Sequence, residues 1–281
     1  MIICPGQGFV FVHIPKCAGS SIRRQILQVD PDHIELARSG THPDLGQIDF
    51  GHIPLDQLRV HFPDHYAQIR ALDSFAVVRD PLARFGSALR QVLWQYEQRP
   101  MTLIPPAELR ETTLRILDQV AAEIDAPSAP FIFFMRQDRF ILDGEDQVLR
   151  NLIPLDLVPD FIGYISRRTG VPMETEARAN QNVDLRVKGG FGTLAYKVND
   201  RLRSVLPVNV HTRLKDTALR VLATKKSAAE ASGLLDMPEL RAFVQDHYAR
   251  DAAIYAAVSA RKVALAQDLA QGHLPITEIP A

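Results

Sequence analysis

One short stretch near the start of the chain combines residues that together can bind an anion. Phe9–Ile14 reads Phe-Val-Phe-Val-His-Ile, and Lys16, Gly19, Ser20 and Ser21 follow it. The apolar run is short and rich in β-branched and aromatic residues, which predicts a buried strand rather than a helix. A strand therefore leads directly into a loop that carries a cation, a glycine and two hydroxyl groups.

A helix is predicted directly after this loop. Ser20 or Ser21 suits its N-cap, and Ile22 and Ile26 begin an apolar stripe at helical spacing. The start of a helix presents N–H groups without intrahelical partners, together with the positive end of the helix dipole. Lys16 adds a full positive charge at the same place. This arrangement predicts a site for phosphate or sulfate.

A second segment has the same organisation. The run Asp73–Val78 predicts a buried strand, and Arg79 follows it. Asp80 and Pro81 suit the cap and the first position of a helix, on which Arg84 and Ser87 share a face. The guanidinium of Arg79 is a fork that matches a phosphate monoester. Ligands bind beyond the carboxyl ends of parallel strands, so both loops are expected to face one ligand.

Several histidines could accept a proton from a hydroxyl group at neutral pH. His52 lies between the two segments, in Phe-Gly-His, and His33 and His42 lie in the same interval. His61 and His65 are further along and could form a pair of zinc ligands. The lack of a nearby third ligand favours a solvated helix face for that pair.

The remaining pattern predicts an α/β protein with a mostly parallel central sheet flanked by helices, in three layers. We expect a single domain over residues 1–281, with helical insertions at about 100–130 and 195–235. The other predicted elements are helices over 55–62, 81–98, 108–124, 159–168 and 239–268, a strand over 147–153, an ambiguous segment over 131–135, and loops over 30–51 and 188–192. Gly170 is expected to end the helix over 159–168.

Composition narrows the class of protein. The chain has 281 residues, is 46% hydrophobic and carries a net charge of -1 from 32 basic and 33 acidic residues. A chain with this balance of charges has no overall positive electrostatic field that would attract nucleic acid. The two cysteines, Cys4 and Cys17, exclude a disulfide framework and fit a reducing compartment. No long apolar segment is present, so a cytoplasmic location without an integral membrane segment is expected.

The order of residues in the first loop argues against an ordinary ATPase. A Walker A sequence places its lysine directly after the second glycine, whereas Lys16 here precedes Gly19 by three positions. The segment His-Ile-Pro-Lys-Cys-Ala-Gly-Ser-Ser at 13–21 instead resembles the 5′-phosphosulfate loop of the membrane-type carbohydrate sulfotransferases, usually written HIPKTAGTS. Cys17 stands where that family has a threonine.

The second segment is similar to another sequence of the same family, V-R-D-P-x-x-R-x-x-S, which binds a 3′-phosphate. The match runs from Val78 to Ser87, and Leu89 stands where the family often has an aromatic residue. The resemblance implies a P-loop-like sulfotransferase fold. It also implies that Arg79 and Ser87 bind the 3′-phosphate of 3′-phosphoadenosine 5′-phosphosulfate (PAPS).

The resemblance further assigns roles around the sulfuryl group. It implies that the ammonium of Lys16 contacts the leaving oxygen and that His52 is the catalytic base. The cradle for the 5′-phosphosulfate would consist of Lys16, Cys17, Ala18, Gly19, Ser20 and Ser21. Weaker likenesses are seen at 136–142, at the segment from Asn180 to Asn182 and at 248–255. In the last of these, Asp251 and Tyr255 lie on the apolar side of a predicted helix, which favours internal packing.

The expected activity is transfer of a sulfuryl group from PAPS to a hydroxyl acceptor, by resemblance on a sugar or glycan, without a metal. Two alternatives remain at this point: an ATP-dependent, kinase-like phosphotransferase, and a non-catalytic nucleotide-binding module. The kinase would need magnesium ligands, and the sequence shows no well-placed Walker B aspartate.

Overall fold

The computed structural model describes residues 1–175 and 233–279. Three segments singled out in the sequence lie outside these ranges: the glycine-rich loop at 188–192, the segment from Asn180 to Asn182, and most of the insertion predicted at 195–235. The strands are β1 Ile2–Cys4, β2 Phe9–Val12, β3 Ile34–Glu35, β4 Ser39–His42, β5 Gly46–Asp49, β6 Asp73–Val78, β7 Leu142–Asp143, β8 Asp146–Gln147 and β9 Asn151–Pro154.

The described strands form a central five-stranded sheet in the order β3-β1-β2-β6-β9 and two small hairpins. β2 pairs with β6 and β6 with β9 in parallel, whereas β1 pairs with β2 and with β3 antiparallel. The prediction of an α/β fold is confirmed, but the sheet is mixed rather than mostly parallel. β1 was not predicted, because a run of three apolar residues carries little periodicity. It reverses into β2 through the single turn Pro5–Gln7, which permits only antiparallel pairing.

The α-helices of the described residues are α1 Gly19–Ile26, α2 Leu55–His61, α3 Pro63–Ala71, α4 Pro81–Gln95, α5 Pro106–Ala122, α6 Val158–Thr169, α7 Pro238–His247, α8 Ala249–Ala260 and α9 Lys262–Gln271. The predicted helix after Asp80 is confirmed with its cap, since the Asp80 carboxylate accepts from the amide of Ala83 at 2.8 Å. Most of the ambiguous segment at 131–135 belongs to a 3-10 helix, Ala129–Phe134. Gly170, predicted to end a helix, adopts the left-handed conformation after α6.

Two helix predictions are corrected. The single helix predicted over 239–268 is three helices, with breaks at Tyr248 and Arg261. Tyr248 leaves the helical conformation where its buried hydroxyl donates to the carbonyl of Phe134 at 2.6 Å. In α1, the N-cap is Ala18 rather than Ser20 or Ser21, and no side chain caps the helix.

The pairing of β2 with β6 fixes where the two predicted loops meet. In this parallel register Val12 lies opposite Ala76, so both strands end at the same edge of the sheet. Both are buried on their two faces, and one face carries Phe11 and Phe75, whose rings contact Phe161 of α6. The segments that contain Lys16 and Arg79 therefore emerge side by side from a rigid support.

A buried ion pair lies behind this sheet edge. Arg84 of α4 and Asp251 of α8 approach to 3.6 Å, with 1% and 0% of their side chains exposed. Arg84 also donates to the carbonyl of Phe133 at 3.2 Å. The Asp251 carboxylate accepts from the amides of Gln137 and Asp138, both at 2.9 Å. The internal role predicted for Asp251 is confirmed, and the pair joins α4, α8 and the chain between them.

No helix within residues 1–175 and 233–279 has the length and apolar character needed to cross a membrane.

The buried pair generates a stability prediction. Replacing Arg84 with Met should lower the free energy of unfolding by about 3–5 kcal/mol, because the Asp251 carboxylate would remain buried without its counter-charge. Urea unfolding measures the change. The matched control is Arg99→Met, since the Arg99–Glu108 pair is exposed, and a loss below about 1 kcal/mol is expected there. Equal losses in the two variants would contradict the prediction.

Candidate active site

The loop between β2 and α1 holds an unusual main-chain conformation. Lys16 and Ala18 have φ angles of 65° and 60°, in the left-handed region that side chains other than glycine seldom occupy. Alternation of this kind turns successive amide groups toward a concave side of the loop, a geometry that binds anions. The amide of Ser21 donates back to the carbonyl of Ala18 at 3.0 Å. The amides of Ala18, Gly19 and Ser20 are at the helix start, where an outside acceptor can bind them.

Gly19 is required here by a close approach. A Cβ atom at this position would lie 1.7 Å from Cδ2 and 2.1 Å from Nε2 of His13. The imidazole of His13 therefore lies directly over the first residue of α1. Gly19 is thus needed because a larger residue would overlap the side chain of His13, with which the same segment begins.

Positive charge is concentrated at Lys16. Burial, together with repulsion from Arg90 and Arg79, lowers the pKa of Lys16 to about 8. Its Nζ donates to Oε1 of Gln91 at 3.3 Å and lies 5.7 Å from the centre of the Phe133 ring. Three cations that repel one another in this way are stabilised when an anion binds among them.

Arg79 joins the two predicted loops. Its Nη1 donates to the main-chain carbonyl of Lys16 at 3.3 Å. Ser87, on α4, is half-buried, whereas Arg84 points into the core and takes no part in the surface of the site. The three residues of the second motif thus lie in different places. Arg79 lies at the first loop and Ser87 lies two turns into α4, whereas Arg84 forms the buried ion pair with Asp251.

His52 is held in a state that suits a base. Its Nδ1 lies 3.0 Å from the carbonyl oxygen of His13, so Nδ1 carries the proton and Nε2 keeps its lone pair. Burial lowers the pKa of His52 below its usual 6.5, although Asp49 and the bond to His13 oppose the shift. The imidazole is therefore neutral at pH 7. Its ring lies 6.3 Å from that of Phe133, which also contacts Lys16.

Cys17, which the resemblance places among the binding residues, turns its side chain away from the surface of the cradle. Its side chain is buried, and Sγ lies 3.4 Å from Oε1 of Gln137. Its amide donates to the carbonyl of Ile14 at 3.3 Å. Burial raises the pKa of the thiol to about 12, the opposite of the lowering expected near a helix N-terminus.

The other candidate histidines lie in different surroundings. The ring of His33 contacts the carbonyl of Asp30 within its own turn. His42, Asp44 and His61 place one ligand atom each within 4.8 Å of one another, on the β4–β5 hairpin and α2. Nδ1 of His42 accepts from the amide of Asp44 at 3.2 Å, which puts the ring proton on Nε2. The one lone pair of this tautomer, on Nδ1, already accepts from the main chain, so His42 is poorly prepared to bind a metal ion.

Several residues of the site were not predicted as such. Gln91, Arg90 and Phe133 surround Lys16, His13 lies between Gly19 and His52, and Gln137 contacts both loops. The helical spacing of Ser87, Arg90 and Gln91 is a signal that could have found two of them. The others are brought together only by tertiary packing.

A scan against models of protein families, a search of curated proteins and a search of solved structures each found no match.

The lowered pKa of Lys16 generates a prediction for anion binding. Affinity for inorganic pyrophosphate should fall roughly tenfold as the pH rises past 8, because the neutral amine loses its charge-assisted hydrogen bond. Isothermal titration on either side of that pH measures the change. In Lys16→Arg the guanidinium stays charged, so its affinity should vary much less. An identical pH dependence in both proteins would assign the titration to another group.

Proposed function

We propose that this protein is a PAPS-dependent sulfotransferase with a P-loop-like sulfotransferase fold. The observation that supports the proposal most is the contact between the Arg79 guanidinium and the main chain of Lys16 at 3.3 Å. PAPS carries a phosphosulfate and a separate 3′-phosphate, so its enzyme needs two anion-binding elements next to each other. The two segments that resemble sulfotransferase motifs come together in this way at one sheet edge.

The first loop would bind the 5′-phosphosulfate. The amides of Ala18, Gly19 and Ser20, with the hydroxyl groups of Ser20 and Ser21, would hold its oxygens. Lys16 would contact the oxygen that bridges phosphorus and sulfur. As the sulfur–oxygen bond breaks, that oxygen gains negative charge, and the ammonium group stabilises it.

The second segment would bind the 3′-phosphate. Arg79 offers a guanidinium at the junction of the two loops, and Ser87 offers a hydroxyl on the following helix. Cys17 and Arg84 support these residues from the interior and are left out of the proposed binding set.

His52 would act on the acceptor. Its Nε2 would take the proton of the acceptor hydroxyl while that oxygen forms its bond to sulfur, and 3′-phosphoadenosine 5′-phosphate would leave on the opposite side. The transfer is direct and in line. Lys16 and the loop amides supply the charge stabilisation, so the mechanism includes neither a metal nor a covalent enzyme intermediate. By the resemblance, the acceptor hydroxyl belongs to a sugar or glycan.

Ligand binding tests the proposed donor. Thermal-shift titrations with 3′-phosphoadenosine 5′-phosphate, ATP and GTP, each with and without magnesium, compare the classes of nucleotide. The bisphosphate should give the largest shift and should need no magnesium, because both of its phosphates have a cationic partner. A larger, magnesium-dependent shift with ATP would favour a kinase-like phosphotransferase instead.

Transfer of labelled sulfur from PAPS to oligosaccharide acceptors separates an enzyme from a nucleotide-binding module. Binding of the bisphosphate without transfer to any sugar or other hydroxyl acceptor would favour the module.

Two substitutions test the proposed roles. Lys16→Ala should reduce turnover roughly 10²- to 10³-fold, as the loss of a transition-state donor does. His52→Ala should reduce it roughly 10²- to 10⁴-fold. In the unmodified protein the acid limb of the pH–rate profile should have its midpoint below 6.5, since protonation removes the base and burial lowers the pKa of His52.

His33→Ala is the control for the second substitution, because the His33 ring bonds to the carbonyl of Asp30 in its own turn, and it should leave turnover unchanged. Turnover retained in His52→Ala in a folded protein would remove His52 as the base.

A further inference from the structure

We infer that Gln137 is a positioning residue that holds the Lys16 loop and the Arg79 segment in register. The inference rests on the proposed function in its choice of ligand, 3′-phosphoadenosine 5′-phosphate. The link between the two loops is a property of the described structure. Gln137 lies before a 3-10 helix, Asp138–Phe140, in a segment that the sequence suggested only as a weak likeness.

The side chain of Gln137 pairs with the main chain of Arg79 in two directions. Its Oε1 accepts from the amide of Arg79 at 3.0 Å, and its Nε2 donates to the carbonyl of Arg79 at 2.9 Å. This is the pattern by which a neighbouring strand would bind a residue in a sheet. Arg79 comes directly after β6, so Gln137 extends the support of the main chain by one residue beyond the strand.

The same amide oxygen also lies against the first loop. Cys17 Sγ is 3.4 Å from Oε1 of Gln137, close enough for the thiol to donate a weak hydrogen bond. Cys17 follows Lys16 directly, and the Arg79 side chain donates to the Lys16 carbonyl. Gln137 is fully buried, with 0% of the residue exposed, and is therefore held between the two loops by packing.

The position of Gln137 is fixed from behind. Its own amide donates to Asp251, and that carboxylate is held in turn by Arg84 of α4. Support therefore passes from the core, through the Asp251 carboxylate and the Gln137 main chain, to both anion-binding loops. Sites that stabilise a transition state need this kind of rigid support, because small displacements of the binding groups reduce the rate strongly.

The chain offers a direct readout of the coupling, because its only two cysteines are Cys17 and Cys4. Both thiols are buried, and burial raises the pKa of each to about 12. Cys17 contacts Gln137, whereas Cys4 lies in β1 at the opposite side of β2 from β6. The rate of alkylation of each thiol, followed by mass spectrometry, separates local loosening of the first loop from general unfolding.

The test compares the full chain with Gln137→Met and Gln147→Met. Methionine keeps the length of the side chain and removes its hydrogen bonds. Gln147 is the matched control, because its amide also bonds to main-chain carbonyls, at 3.0 Å to Leu149 and 2.7 Å to Thr277, away from the two loops. The two readouts are alkylation of Cys17 relative to Cys4, and affinity for 3′-phosphoadenosine 5′-phosphate.

In Gln137→Met we expect Cys17 to be alkylated roughly tenfold faster relative to Cys4, and bisphosphate affinity to fall roughly tenfold, since two hydrogen bonds to Arg79 are lost. Gln147→Met should change neither quantity. An unchanged ratio of the two alkylation rates in Gln137→Met, or an equal change in the control, would overturn the inference. If the unmodified protein binds no bisphosphate, the proposed function fails and the alkylation ratio alone decides the role of Gln137.

Gln137→Asn covers the case in which the methionine variant does not fold. The asparagine amide adds no charge and keeps a donor and an acceptor, but it is one methylene shorter and cannot reach the amide and the carbonyl of Arg79 together. Faster alkylation of Cys17 relative to Cys4, with the rate at Cys4 unchanged, is expected. Behaviour identical to that of the unmodified protein in both readouts would contradict the positioning role.

Discussion

The parallel pairing of β2 with β6 is the constraint on which the site depends. Each strand ends at the same edge of the sheet, and each is buried on both faces, so a shift of either strand in register would break its packing on both sides of the sheet. The two loops inherit this fixed spacing. The contact of Arg79 with the Lys16 carbonyl is therefore a consequence of sheet register, and any ligand with two anionic groups would meet a separation already set by the core.

The sequence predicted most of the elements that carry the site, because each has a strong local signal. β6 was predicted with its observed bounds, the Asp80–Pro81 start of α4 follows from capping chemistry, and Gly170 ends α6 as expected. Errors occur where tertiary contacts override local preference. Helix α1 begins at Gly19 under the His13 ring rather than at a serine cap, and the terminal helix breaks where Tyr248 bonds to Phe134.

The chemical state of the site residues depends on burial, which a sequence pattern does not reveal. Cys17 lies near a helix start, where the pKa of a thiol is often lowered, yet its side chain turns inward and burial raises its pKa. For His52, the bond to the His13 carbonyl decides which ring nitrogen is free. Gln137 could not be assigned from sequence either, since its partners Arg79, Cys17 and Asp251 are far from it along the chain. The sulfotransferase assignment itself remains a proposal.

The approach of His13 to Gly19 has a consequence for how this chain can vary. Even a methyl group at residue 19 would overlap the imidazole, so a substitution there has to move His13. The carbonyl of His13 sets the tautomer of His52, and the two rings lie 4.5 Å apart. A change made in the anion loop would thus also disturb the neighbouring imidazole, so two functional groups that look separate in the sequence must vary together.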